Sequence, residues 1–154
     1  MKTELPVRLR RLRRNTQVRR LFAETTVEMR NLVMPYFVVE GRGIRKESAP
    51  SSGLWTVSTD MLLEEVAPLV EAGVGGVMLF GVPGDKHDHG HTGSSDGGDA
   101  LTAQLKPLLQ STDALKHKHS ELVLFADVCL CSYTTTGHCG VVTGNSIDND
   151  ATLP

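Results

Sequence analysis

The run "VGGVMLFGV" at 74–82 is apolar at nearly every position and ends against Pro83. Too short for a membrane span and lacking the alternation of a half-solvated strand, it reads as a buried strand of a parallel sheet. Two similar runs flank it. "LVMPYFVVE" (32–40) carries β-branched and aromatic residues up to Glu40 and Gly41, and "ELVLFADVCL" (121–130) follows downstream. Between the three lie helical patterns. In "STDMLLEEVAPLVEAG" (58–73), Ser58, Thr59 and Asp60 offer N-caps, Leu62, Leu63, Val66, Leu69 and Val70 form one face, and Gly73 closes the helix. "DALTAQLKPLLQ" (99–110) is the second. Pro68 and Pro107 fall inside these helices and weaken or bend them locally. Strand, helix, strand, helix, strand is the order of an α/β fold with crossover helices on a parallel sheet.

The connecting segments are polar. "GRGIRKESAPSSG" (41–53) and "PGDKHDHGHTGSSDGGD" (83–99) have loop chemistry throughout. Residues 1–30 read as a basic arm, and 31–154 as the folded domain. Within the arm, Leu9, Leu12, Val18, Leu21 and Phe22 recur among charges with an irregular helical period, which fits a short helix or a segment docked on another surface. "IDNDATLP" offers Asn149 and Asp150 as caps where a third helix is due.

With 154 residues, 40% of them hydrophobic, the chain suffices for one ordinary domain. Its formal net charge is −2, yet residues 1–20 hold Lys2 and seven arginines against Glu4, a local +7 that leaves −9 on the remainder. A basic arm on an acidic body is the asymmetry to explain. Without interleaved aromatics the arm is a poor nucleic-acid patch, so no nucleic-acid partner is expected. No run is long enough to span a membrane, and no apolar h-region follows the arginines. The expected location is cytoplasmic.

All three cysteines, Cys129, Cys131 and Cys139, lie in "DVCLCSYTTTGHCG" (127–140). An odd count without an export signal argues against a disulfide framework and for a reducing compartment. Cys129 and Cys131, two apart at the end of a strand, would share a face, and the intervening loop is long enough to bring Cys139 back to them. Three thiolates suit zinc, with one coordination position left open as in catalytic sites. Asp127 would face the same cavity, where a carboxylate orients an amine or relays a proton. The other reading is three buried thiols packed as small hydrophobes. His138 is either part of an outer shell or second metal site, or a loop residue.

Two further motifs carry less. Asp85, His87, Asp88, His89 and His91 could gather a metal, but an unsupported polar loop has nothing to fix such ligands, and a solvated loop is the expected state. The glycines of "AGVGGVMLFG" lack the spacing of a dinucleotide fingerprint.

The cysteine stretch resembles the zinc-binding loop of the porphobilinogen synthase family, also called delta-aminolevulinic acid dehydratase. "DVCLC" (Asp127–Cys131), Tyr133–Thr134, "GHCG" (Gly137–Gly140) and "DNDAT" (Asp148–Thr152) appear in the family's order. Upstream, "RLRRLRRN" (8–15) is similar to its arm, "MPYFVVEG" (34–41) to its first strand and "LFGVP" (79–83) to its second. The resemblance implies an N-terminal arm followed by the first three βα units of a TIM (β/α)8 barrel, left incomplete. It places Asp127 and the cysteines on the C-terminal rim. It implies a homo-oligomer, typically an octamer embraced by the arms.

The implied reaction condenses two 5-aminolevulinate molecules to porphobilinogen in heme biosynthesis, assisted by Zn2+ at Cys129, Cys131 and Cys139, with Asp127 orienting the substrate amine. The family's two Schiff-base lysines stand on later strands. None of Lys2, Lys46, Lys86, Lys106, Lys116 and Lys118 matches them or is expected on a strand, and Lys46 and Lys86 are read as loop residues. The chain alone is therefore expected to be inactive. The alternative is a non-catalytic zinc-binding fragment or an interaction partner of full-length subunits. Thr135 and Thr136 replace the family's usual serine-histidine pair, Ser132 replaces a proline or acidic residue, and "PSSG" (50–53) replaces "SMPG". Cysteine at all three positions points to the zinc type rather than the magnesium type.

Overall fold

The computed structural model describes residues 10–84, 86, 97–129 and 131–152, with the backbone alone for 97–104. The start of the arm, Arg8 and Leu9, and Asp85, His87, Asp88, His89 and His91 lie outside the described residues.

The first run forms β1 (Val33–Val39) and the second β4 (Gly76–Gly81), paired in parallel from Val33↔Gly76 to Val38↔Gly81. Two strands between them were not expected. β3 (Trp55–Ser58) lies parallel to β1 on its other side, and β2 (Arg45–Glu47) pairs antiparallel with β3. Lys46 is thus on a strand, opposite Thr56, and not in a loop as its polar neighbours implied. β5 (Leu124–Ala126) adds parallel to β4, which gives the order β2-β3-β1-β4-β5. The third run is therefore a strand over only three residues of 121–130.

α2 (Thr59–Glu71) and α3 (Gly97–Lys118) make the crossovers. The expected α2 face is the one that packs: Leu62 and Val66 are fully buried, with Leu63, Leu69 and Val70 against the same core. Gly73, at φ +79, turns the chain out of the helix at no steric cost. α3 runs eight residues past the expected end at 110. Ser111, a weak helix former, is fully buried there and hydrogen-bonds Thr59 of α2 across 2.9 Å.

The core is one layer. Tyr36, Val38, Val57, Val77 and Leu79 face Leu62, Val66, Leu108 and Leu115 of the helices. Burial along β4 alternates, with Met78 and Phe80 only half-buried, although the run is apolar throughout. The described helices cover one face of the sheet, and the opposite face presents Phe37 and Phe80, with ring centroids 5.2 Å apart, and an exposed Phe125.

In the arm, Arg11–Arg13 form a 3-10 turn and Thr16–Leu21 form α1, capped by Asn15, whose Oδ1 accepts from the Val18 N–H at 2.9 Å. Leu12, Leu21 and Phe22 remain exposed. At the other end, β6 (Val141–Thr143) and β7 (Ser146–Asp148) form a hairpin that leads into the short α4 (Asn149–Thr152). No helix among the described residues is long and apolar enough to cross a membrane.

Candidate metal centre

β5 delivers the chain to the end of the sheet where β1 and β4 also finish. The last bond of that ladder runs from the Asp127 N–H to the Leu79 carbonyl at 2.9 Å. Beyond it the chain leaves the sheet, with Val128 exposed. Cys129 and Cys131 therefore lie past the strand, and strand alternation is not what brings them together. The turn through 131–133 does so.

Tyr133 anchors that turn. Its ring is buried, packed over the end of β4 at Gly81. Thr134 and Gly137 then reverse the chain: the Thr134 hydroxyl donates to the His138 carbonyl at 2.9 Å, and the Gly137 N–H donates to the Thr134 carbonyl at 3.3 Å. Gly137 sits at φ +70, the left-handed geometry that favours glycine. Thr136 accepts from the His138 N–H at 3.4 Å.

These turns bring the three thiols together. Cys129 Sγ lies 2.8 Å from Cys131 Sγ and 3.0 Å from Cys139 Sγ, and all three sulfurs fall within 4.8 Å of one another. None of the three is in a disulfide; Cys129 and Cys131 are half-buried and Cys139 is exposed. Tetrahedral zinc at about 2.3 Å from each sulfur needs separations of roughly 3.8 Å, so the cluster fits zinc after Cys129 moves outward by about an ångström. The donor type also suits zinc, which binds cysteines as thiolates with release of their protons. Hydrogen bonds between the Cys129 thiol and the sulfurs of Cys131 first, and then Cys139, hold the Cys129 proton in place and push its pKa up to about 12. A divalent cation would take the place of those shared protons.

The other expected site residues lie close by with different surroundings. Asp127 stands next to Tyr133, whose phenol is pushed up by burial and then by the Asp127 charge. His138 is exposed, and among the described residues the cluster of potential metal ligands comprises Cys129, Cys131 and Cys139 without it. Lys106 pairs with Glu40 at 2.7 Å, and Lys116 donates to the Ser120 and Leu122 carbonyls. Sequence reasoning missed Tyr133 as the anchor. The signal was there, in one aromatic residue amid the polar "SYTTTG" and a strand ending in Gly81.

The family model of delta-aminolevulinic acid dehydratase matches residues 6–154. The delta-aminolevulinic acid dehydratase of Ruminiclostridium josui is 35% identical over 96% of this chain and 68% of its own length. That of Methanothermus sociabilis is 36% identical over 95% of this chain and 43% of its own length. That of Staphylococcus epidermidis is 37% identical over 96% and 44%. The fold is similar to the crystal structure of the Toxoplasma gondii ME49 enzyme in complex with its reaction product porphobilinogen. The TM-score is 0.74 and the identity 29%, over 96% of this chain and 41% of that one. The chain therefore spans less than half the length of the last three proteins, while matching them over nearly all of its own. With the family model matched almost end to end, and its thiols gathered at the finish of a parallel strand, the chain belongs to the delta-aminolevulinic acid dehydratase family.

Proposed function

We propose that this chain is the N-terminal, metal-binding part of a zinc-dependent porphobilinogen synthase. The reaction joins two 5-aminolevulinate molecules into porphobilinogen, with loss of two waters, in heme biosynthesis. The observation that carries the proposal is the convergence of Cys129, Cys131 and Cys139 within 4.8 Å in a chain of this family. Zinc held there supplies Lewis acidity toward one substrate. Asp127, where the chain leaves β5, orients that substrate's amine. His138, exposed beside Cys139, is available to an outer or second ion.

In this reading β1, β4 and β5 are the first three staves of an eight-stranded barrel, and the site sits on the rim where such barrels keep their chemistry. The half-buried Phe37 and Phe80 and the exposed Phe125 support it, because an apolar sheet face needs further elements to cover it. The arm serves a cytoplasmic homo-oligomer, typically an octamer, and exposed Leu12, Leu21 and Phe22 on a basic segment are suited to a neighbouring subunit. Among the described lysines, Lys46 lies exposed on β2, Lys86 is exposed outside any strand or helix, and Lys106, Lys116 and Lys118 lie on α3, so none matches a Schiff-base position on a later strand. The 154-residue chain alone is then inactive. A second reading, a non-catalytic zinc-binding partner of full-length subunits, is favoured by β5, which ends the described sheet with Phe125 exposed.

Zinc content of the purified chain, with and without Cys129→Ser, tests the metal site. About one zinc per chain, lost in the variant, is expected from a three-thiolate site; equal zinc in both would sink it. Porphobilinogen formed from 5-aminolevulinate by the purified chain would refute its inactivity. Mass measurement after mixing with a full-length subunit separates the two readings: a mixed assembly supports the partner.

A further inference from the structure

The thiol cluster depends on a residue thirteen positions beyond its last cysteine. The Thr152 hydroxyl donates to the Asp148 carbonyl at 2.6 Å and accepts from the Val141 N–H at 3.0 Å. It therefore ties α4 to the first peptide of β6. The same side chain fills the space beside Gly140, where a β-carbon would stand 2.8 Å from Thr152 Oγ1 and 2.8 Å from Ile147 Cγ2. Gly140 directly follows Cys139. The hairpin pairing of Val141 with Asp148 closes the loop of contacts, and Asp148 Oδ1 caps α4 through the Ala151 N–H at 2.9 Å.

We propose that Thr152 is the positioning residue of the third thiol: by clasping the Gly140–Val141 peptide it sets where Cys139 Sγ stands relative to Cys129. This inference rests on the zinc reading only for its consequence in metal affinity. Consecutive Cα atoms are about 3.8 Å apart, so Cys139 is the immediate neighbour of the clasped peptide and a shift of that peptide acts on it directly. In a bound site the metal–thiolate distances lie within about 0.2 Å of their usual values, so all three sulfurs must be able to reach one ion. Cys139 is exposed, and the clasped Gly140–Val141 peptide follows it directly in the chain. The separation of "GHCG" from "DNDAT" in sequence then has a physical reason, because the second motif holds the first in place.

The test uses two readouts on the full chain. In the first, zinc affinity is measured by chelator competition. Thr152→Val keeps the volume and removes both hydrogen bonds, and is expected to weaken zinc about tenfold, the low end for outer-shell partners. Thr152→Ser retains the hydroxyl and is expected to restore affinity to within about threefold. In the second, metal is absent and Cys131→Ser leaves one close pair. Diamide, as oxidant, takes up two electrons and two protons as Cys129 and Cys139 form a disulfide. Thr152→Val is expected to slow that cross-link several-fold.

Unchanged affinity and an unchanged cross-linking rate in Thr152→Val would overturn the inference, as would equal losses in Thr152→Ser. Cys139→Ser serves as the control for the metal. If it leaves zinc affinity intact, the zinc reading falls, while a slowed cross-link in Thr152→Val still supports the clasp. Should Thr152→Val fail to fold, Gly140→Ala applies the same strain with Thr152 in place, and normal affinity and cross-linking there would count against the proposal.

Discussion

Tyr133 lies across the end of β4 with its hydroxyl in the space that a side chain at Gly81 would occupy. A β-carbon at Gly81 would collide with that hydroxyl and stand 3.3 Å from Leu108 Cβ on α3. Space, rather than backbone conformation, excludes a side chain here. Gly81→Ala is therefore expected to cost about 1–3 kcal/mol, the usual penalty of overpacking. The Tyr133 hydroxyl is buried with no hydrogen-bond partner among the described residues. Its removal leaves nothing unsatisfied, so Tyr133→Phe is expected to be neutral or to stabilise by about 1 kcal/mol. Tyr133→Phe combined with Gly81→Ala should recover part of the loss. Urea unfolding of the four proteins checks this, and a strongly destabilised Tyr133→Phe would contradict it.

Arg45 links three elements. Its guanidinium carbon lies 3.7 Å from the centroid of the Trp55 ring, and its Nε donates to Glu65 of α2 at 2.6 Å. Lysine keeps the charge but loses the planar stack and the directed N–H. Arg45→Lys is expected to cost roughly 0.5–1 kcal/mol, because the pair is partly solvated. Trp55 is the chain's one tryptophan, so its emission reports the change directly. An unaltered spectrum in Arg45→Lys would show that the stack is not populated.

Asp60 holds the turn before β2. It accepts from the Ser58 hydroxyl at 2.5 Å and the Gly43 N–H at 2.8 Å, and these bonds, the first above all, lower its pKa below the usual 3.8. A carboxyl depressed in the folded state stabilises above its unfolded pKa, and that contribution disappears as pH falls through the folded value. Stability should therefore decline below about pH 4. Asp60→Asn should lower the neutral-pH plateau and flatten that acid limb. Denaturant midpoints at a series of pH values would reveal it, and parallel curves for the two proteins would rule it out.

The sequence was most legible where local pattern and tertiary context agree. The α2 face of Leu62 and Val66, the Gly73 stop and the parallel pairing of 32–40 with 74–82 follow from periodicity and caps. β3 was hidden because "WTVS" directly abuts α2, so that Ser58 is at once the last residue of the strand and the N-cap of the helix, as its sequence position suggests. Its hydroxyl is engaged by Asp60 and Ile44 and makes no cap bond. α3 was cut short at Ser111 because propensity cannot register the bond to Thr59 on another helix. At the thiol cluster, spacing singled out the three cysteines that come together, but they converge through a turn held down by Tyr133 and not through strand alternation. Thr152 has no role legible in "DNDAT", since its contacts to Gly140 and Val141 exist only after the hairpin has formed.

Tyr36 provides an alkaline counterpart to Asp60. It is buried in the centre of β1, and burial first, then the Glu65 charge, raise its phenol from 10.0 to about 12, against a smaller opposing effect of Arg45. The folded state therefore keeps this proton where the unfolded chain has lost it. Stability is intact below pH 10 and falls as pH rises between the two values, because ionisation then favours the unfolded chain. The chain has two tyrosines, so Tyr133→Phe leaves Tyr36 as the one reporter of phenolate absorbance near 295 nm. In that variant ionisation is expected about two pH units late under native conditions and near pH 10 in urea. A native midpoint near 10 would mean that the Tyr36 ring reaches water, and that β1 does not pack against α2 as described.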